Sequence, residues 1–204
     1  MSRARDPYNE ALAALLAFAG VGRFGWGEPL VATTLAEELG LSPTPVREAL
    51  ARLSGEGLIE HRPGRGYYAP SPSPDDIVDL YELHRRLVHW ALDVLSHRDD
   101  HSLPIVLDLS SAEALFVGVV RTSGRAVLAR AHWRTTLQIR PIRSVEARLL
   151  PEDPDWLRAV GADIATGDLD LVRVAVDAFH RSRSAQAGAV VALMRQSQQS
   201  IDQI

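Results

Sequence analysis

Three of the seven histidines could do chemistry together. Ile77, Leu80, His84, Leu87, Ala91 and Leu95 recur at intervals of three and four, so His84 lies on the apolar stripe of a helix and should face the interior. His132 and His180, on later helical segments, could converge with it. Imidazoles so placed can orient a carboxylate or hydroxyl of a small ligand. They can equally be core histidines satisfied by a carbonyl or hydroxyl, and the residues leave both readings open. Asp93, His97 and His101 are spaced by four, a one-face metal pattern, but they run toward Pro104 and read as a solvated last helical turn. Arg130 and Arg134 beside His132 could hold an anion, although arginines at this density read as exposed salt bridges with Glu113, Glu146 or Asp163.

Other chemistry is excluded by composition. The 204 residues include no cysteine, which removes disulfides, thiolate metal sites and cysteine nucleophiles. All 22 basic residues are arginine, so Schiff-base and P-loop lysines are absent too. HExxH, GxSxG and a glycine-rich phosphate loop are also missing, and the chain does not read as an enzyme. Apolar residues make up 46% and charged residues 24%, which suits one or two cored domains. No stretch approaches the ~20 apolar residues of a membrane span, and no secretion signal opens the sequence, so a cytoplasmic protein is expected. The net charge is −4: residues 1 to 73 hold seven Arg and eight acids, the remainder fifteen Arg and eighteen acids, and neither part is a polycation.

The elements that must position these groups divide at Ala69-Pro70-Ser71-Pro72-Ser73-Pro74, where three prolines favour an extended connector. Residues 1–70 form one expected domain, 71–74 the linker and 75–204 the second domain. In the first, Tyr8 to Ala19 predicts a helix, ended by the glycine-rich run Gly20 to Gly27. A short helix follows, with Thr34 and Glu37 as a capping box and Gly40 as its stop. Ser42 then caps a third helix whose first turn accepts both Pro43 and Pro45; Val46, Leu50 and Leu53 form its buried stripe, leaving Thr44, Arg47, Glu48 and Arg52 on exposed faces. Leu58 to His61 and Tyr67 to Ala69 flank Arg62-Pro63-Gly64-Arg65-Gly66 as a two-stranded hairpin with a basic loop. Three helices and a hairpin make a winged helix-turn-helix.

Beyond the linker only helical patterns recur: Pro74 to about His97, Ser111 to Thr122, Gly124 to about Ile139, Pro154 to Thr166, and Asp168 to Ser182, continuing or restarting through Ala185 to Gln199, with a break at Pro141. Pro104 to Leu109 could be a strand but would lack a partner. The expected fold class is therefore mainly α: an N-terminal winged helix-turn-helix of three helices and a β-hairpin, then an all-α antiparallel helical bundle of five to seven helices.

A capped, arginine-bearing helix after a tight turn can enter a major groove, with Arg47 reaching a base edge or phosphate and Arg65 entering a minor groove. Leu35 to Ala69, LAEELGLSPTPVREALARLSGEGLIEHRPGRGYYA, resembles the winged-helix head of GntR-type bacterial transcription regulators over some thirty-five residues in order and spacing. By that resemblance, the DNA contacts fall on Ser42, Thr44, Arg47, Gly64 and Arg65, with Thr33 ahead of the second helix. Pro43 departs from the family, which usually has an arginine there, so Arg62 or Arg65 is expected to carry more of the binding.

The helical body is similar to the FadR/FCD branch of these regulators in DLYELHRRL (Asp79 to Leu87), TSGRAVL (Thr122 to Leu128) and TGDLDLVRVAVDAFH (Thr166 to His180). That branch implies an effector-binding bundle and a homodimer on a palindromic operator. Many of its members hold a divalent metal with an Asp-x-x-x-His pair and two further histidines. Here those positions are Ser111, Leu115, Leu157 and His180, so no metal and no cofactor is expected.

The resulting reading is a ligand-responsive DNA-binding regulator, a repressor in type. It would bind a double-stranded operator as a homodimer and respond to a carboxylate or fatty-acid-like effector near His84, His132 and His180, with no membrane partner. The rival reading is a DNA-bound architectural or partner-binding protein whose body has lost its sensor role.

Overall fold

The computed structural model describes residues 6–97 and 107–201. His101 and residues 104–106 of the segment weighed as a strand lie outside them, and Leu107 to Leu109 form no strand. The chain divides into two compact units. One holds the described residues up to Ser73, together with Arg140–Val145 and the described residues from Val191; the other holds Pro74–Ile139 and Glu146–Val190.

In the first unit, helix α1 (Pro7–Gly20) starts on Asp6, whose side chain accepts from the Tyr8 amide, with Pro7 in the first turn where no amide hydrogen is needed. Helix α2 spans Ala32–Leu39 and ends on Gly40, whose left-handed φ of 66° closes the turn. The expected capping box does not form. Val31 occupies the N-cap position without a side-chain bond, and Thr33 and Thr34 lie within the helix. The cause is a short strand, β1 (Pro29–Leu30), that delivers the chain into the helix earlier than the capping signal suggests.

Helix α3 runs Pro43–Gly55 from Ser42, with both prolines in its first turn and Val46, Ala49, Leu50 and Leu53 buried. It packs on α1 and α2. Strands β2 (Glu60–Arg62) and β3 (Gly66–Tyr68) form the wing, and Arg65 donates its amide to the Arg62 carbonyl at 2.8 Å to close the tip. The sheet has three strands where a two-stranded hairpin was expected. Its order is β1-β3-β2, all antiparallel, with Pro29 opposite Tyr68 and Leu30 opposite Tyr67.

After Ser73 the described residues form helices alone: α4 (Pro74–Ser96), α5 (Ala112–Thr122), α6 (Ala126–Glu146), α7 (Pro154–Thr166), α8 (Leu169–Ala185) and α9 (Ala187–Ile201). Ser111, Asp153 and Asp168 cap α5, α7 and α8 through their side chains. The expected break at Pro141 is absent, and α6 continues through it. A proline inside a helix costs about 3 kcal/mol, and burial of Ile139 and Ile142 on either side offsets that loss. In the second unit α4 packs most extensively on α8, with α5 and α7 completing a core that includes Leu92, Leu115, Phe116, Leu157 and Val176. No helix among the described residues is long and apolar enough to cross a membrane.

Candidate nucleic-acid interface and a buried imidazole row

The outward surface of α3 follows from what its inner face buries. With Val46, Ala49, Leu50 and Leu53 in the core, Thr44, Arg47, Glu48, Ala51 and Arg52 are left exposed. Prolines at 43 and 45 carry no amide hydrogen, so Thr44 supplies the free N–H of the first turn. The Ser42 hydroxyl makes no capping bond and stands exposed beside it. A hydroxyl and an amide at a positive helix end suit a phosphate oxygen.

Five arginines lie between residues 6 and 73, and they differ in what holds them. Arg23 pairs with Glu38 and stacks on Phe18. Arg52 donates to Glu56 at 2.6 Å. Arg62 pairs with Glu60 at 2.7 Å and lies 4.0 Å over the Tyr68 ring. Arg47 and Arg65 have no side-chain partner among the described residues. Of the two wing arginines weighed from sequence, Arg65 is therefore the free one. It stands exposed between Gly64 and Gly66, whose φ values of 72° and 92° make the tip that presents it. Thr33 is exposed in the first turn of α2, inside the helix instead of ahead of it.

In the second unit the three histidines do come together. His84 on α4, His132 on α6 and His180 on α8 are all buried. His84 Nδ1 lies 2.8 Å from His180 Nε2, and the His84 and His132 rings are 4.5 Å apart. His180 Nδ1 is 2.7 Å from the Val176 carbonyl, so that nitrogen carries the hydrogen; Nε2 of the neutral ring then accepts from His84. His132 Nε2 is buried with no hydrogen-bond partner among the described residues. Burial holds His132 down at about 4, with Glu113 only partly opposing the shift. Burial also lowers His180 to about 4, against the Val176 hydrogen bond and with help from the Arg183, Arg85 and His89 charges. Both rings are neutral near pH 7.

A second buried polar group lies within the same bundle and was missed from sequence. Tyr81 donates its hydroxyl to Glu146 at 2.9 Å, and Arg183 approaches the same carboxylate at 3.2 Å, all three buried. Glu146 was expected as an exposed partner of Arg130 or Arg134. It is buried instead because α6 extends past Pro141 and carries it inward, while Arg130 and Arg134 remain exposed. Tyr81 takes the interior position in place of Leu80, which is only half-buried. The one available signal was a tyrosine three residues before His84. Along the α4–α8 seam, Arg85 and His89 both bond Asp177 at 2.8–2.9 Å, and Asp93 pairs with Arg173 at 2.7 Å.

The donor set of the related regulators' metal site does not fit here. The Ser111 hydroxyl caps α5, and Leu115 and Leu157 sit in the apolar core. No group of three or more metal-binding side chains is placed to hold an ion among the described residues.

Residues 7–68 match the family described as bacterial regulatory proteins, gntR family. These residues are a GntR-family helix-turn-helix domain. The Nta operon transcriptional regulator of Aminobacter aminovorans is 34% identical over 83 residues, 40% of this chain and 40% of its own length. The HTH-type transcriptional regulator McbR of Escherichia coli (strain K12) is 32% identical over 92 residues, 43% of this chain and 42% of its own. The match thus spans well under half the length of these curated relatives. Solved structures are similar over more of the chain. A putative transcriptional regulator GntR from Rhodococcus sp. RHA1 superposes with a TM-score of 0.69 at 16% identity, covering 88% of this chain and 96% of that one. E. coli McbR/YncC gives 0.59 at 18% identity and 98% of both chains. At such identities the likeness is one of fold: a winged helix-turn-helix with a helical domain.

Proposed function

We propose that this protein is a ligand-responsive transcription regulator of the cytoplasm that binds a palindromic operator as a homodimer and acts as a repressor. The observation that carries the reading is the pair of free arginines, Arg47 on the outward face of α3 and Arg65 at the glycine-bounded wing tip. In this reading α3 lies in the major groove, Arg47 reaches a guanine edge, and Ser42, Thr44 and Thr33 settle on phosphate. Arg65 and the Gly64 backbone enter the adjacent minor groove. Residues 1–70 hold the DNA, 71–74 link, and 75–204 sense and dimerise, as in the FadR/FCD branch. His84, His132 and His180 are the effector-recognition residues, supported by the buried His132 Nε2 that has no hydrogen-bond partner among the described residues. Because the rings are neutral, the effector presents a hydroxyl or a protonated carboxyl to them more readily than a bare carboxylate. Its binding favours one arrangement of the two DNA-binding heads, so that half-site spacing no longer fits.

The test is a fluorescence-anisotropy titration at fixed salt with palindromes from the gene's own neighbourhood and with random duplex. Preference for one palindrome is expected, with Arg47→Ala losing roughly 1–3 kcal/mol of that binding. Equal affinity for all duplexes refutes the regulator. The rival, an architectural protein without a sensor, draws on the engagement of both His180 nitrogens by Val176 and His84. It is favoured if none of a panel of hydroxy acids and fatty acids raises the melting temperature or releases the DNA.

A further inference from the structure

The exposed face of α3 carries an acid, Glu48, next to Arg47. Thr44, Arg47 and Ala51 follow one line along the helix, and Glu48 stands beside Arg47 on the other side of that line. Glu48 and Arg52 are four residues apart, the spacing of an ordinary helical ion pair. Arg52 is turned away from it: its Nε donates to Glu56 at 2.6 Å, one turn further along. Glu28, Glu38 and Glu60 are each taken up as well, by the Gly25 amide, by Arg23 and by Arg62, while Glu37, on α2, is exposed and untied like Glu48. Glu48 has no hydrogen bond or ion pair among the described residues and is exposed.

An unpaired carboxylate facing phosphate would weaken binding to every sequence alike. Facing the base edges, it meets donors of two kinds, the exocyclic amines of cytosine and adenine. Adenine sets its amine beside the N7 acceptor, which would confront the second carboxylate oxygen. Cytosine presents its N4 amine without that neighbour. Resting on the operator reading above, we infer that Glu48 is a specificity-determining residue that accepts a hydrogen bond from the N4 amine of a cytosine in each half-site, next to the guanine contacted by Arg47. The adjacent guanidinium offsets the carboxylate's charge, so that the pair reads sequence while adding little net attraction to phosphate.

The experiment is selection of duplexes from a randomised pool by the full chain, for wild type, Glu48→Gln and Glu48→Ala, followed by titration of the enriched site. Wild type is expected to enrich cytosine at one position per half-site. Glu48→Gln should replace it with adenine, whose donor and acceptor match a carboxamide, and Glu48→Ala should leave that position degenerate with the others unchanged. On the cytosine site each variant should bind roughly ten- to a hundredfold more weakly. Identical preferences in all three proteins overturn the inference, as does a Glu48→Ala variant that binds every duplex more tightly. If wild type enriches no sequence at all, the operator reading fails instead.

Discussion

Acid should unfold the helical unit through its buried imidazoles. His132 and His180 sit at about 4 in the folded chain against 6.5 for an ordinary histidine. A depressed folded value means that the unfolded chain takes up protons first, so the stability owed to the neutral rings is whole above pH 6.5 and drains away as the pH falls toward 4. A shift of this size is worth about 3 kcal/mol per ring once both states are protonated, and about 2 kcal/mol by pH 5. Two such rings put about 4 kcal/mol at risk, a large part of the ~5–15 kcal/mol that holds a typical domain. The assay is urea denaturation followed by circular dichroism at pH 7.5, 6 and 5, for wild type and His132→Leu. Carboxylates titrate in both proteins, so the difference between them isolates the ring. His132→Leu should lose about 2 kcal/mol less than wild type between pH 7.5 and 5. Parallel pH profiles would refute the reasoning, because they would mean that His132 is as easily protonated folded as unfolded.

Two further outcomes follow from the ties of individual side chains. Arg65→Ala should lower the salt-dependence slope of operator binding by about 1, while Arg62→Ala, whose guanidinium is already held by Glu60 and Tyr68, should change it less; anisotropy titrations across a salt series compare them, and equal losses would contradict the assignment. Tyr81→Phe removes the hydroxyl that Glu146 accepts and should cost about 1–3 kcal/mol in chemical denaturation; an unchanged midpoint would mean that the buried carboxylate does not depend on the Tyr81 hydroxyl.

Much of the fold was legible because it obeys neighbour-range rules. Ser42 with two prolines starts α3, Pro154 opens α7, and Gly40 stops α2 through a backbone conformation that glycine adopts freely. The apolar stripe of α4 correctly turned His84 inward, and the same periodicity turned Arg47 outward. Where neighbour-range signals failed, a distant partner had intervened. Pro29–Leu30 is too short to read as a strand and exists because β3 offers it an edge. Thr34 and Glu37 have the composition of a cap, yet α2 begins earlier, where β1 hands over the chain.

What the amino-acid order determines unaided is the helical class, the DNA-reading type of its first third, and which faces of α3 and α4 are wet or dry. These depend on periodicities and caps that span a few residues. The tertiary structure alone decides which polar groups find partners: that Arg52 chooses Glu56 and leaves Glu48 free, that Arg62 is bound while Arg65 is not, and that Glu146 meets Tyr81 and Arg183 in the interior. The reason is physical. A hydrogen bond or ion pair acts over about 3 Å, and chain order does not say which side chains from remote segments will come that close.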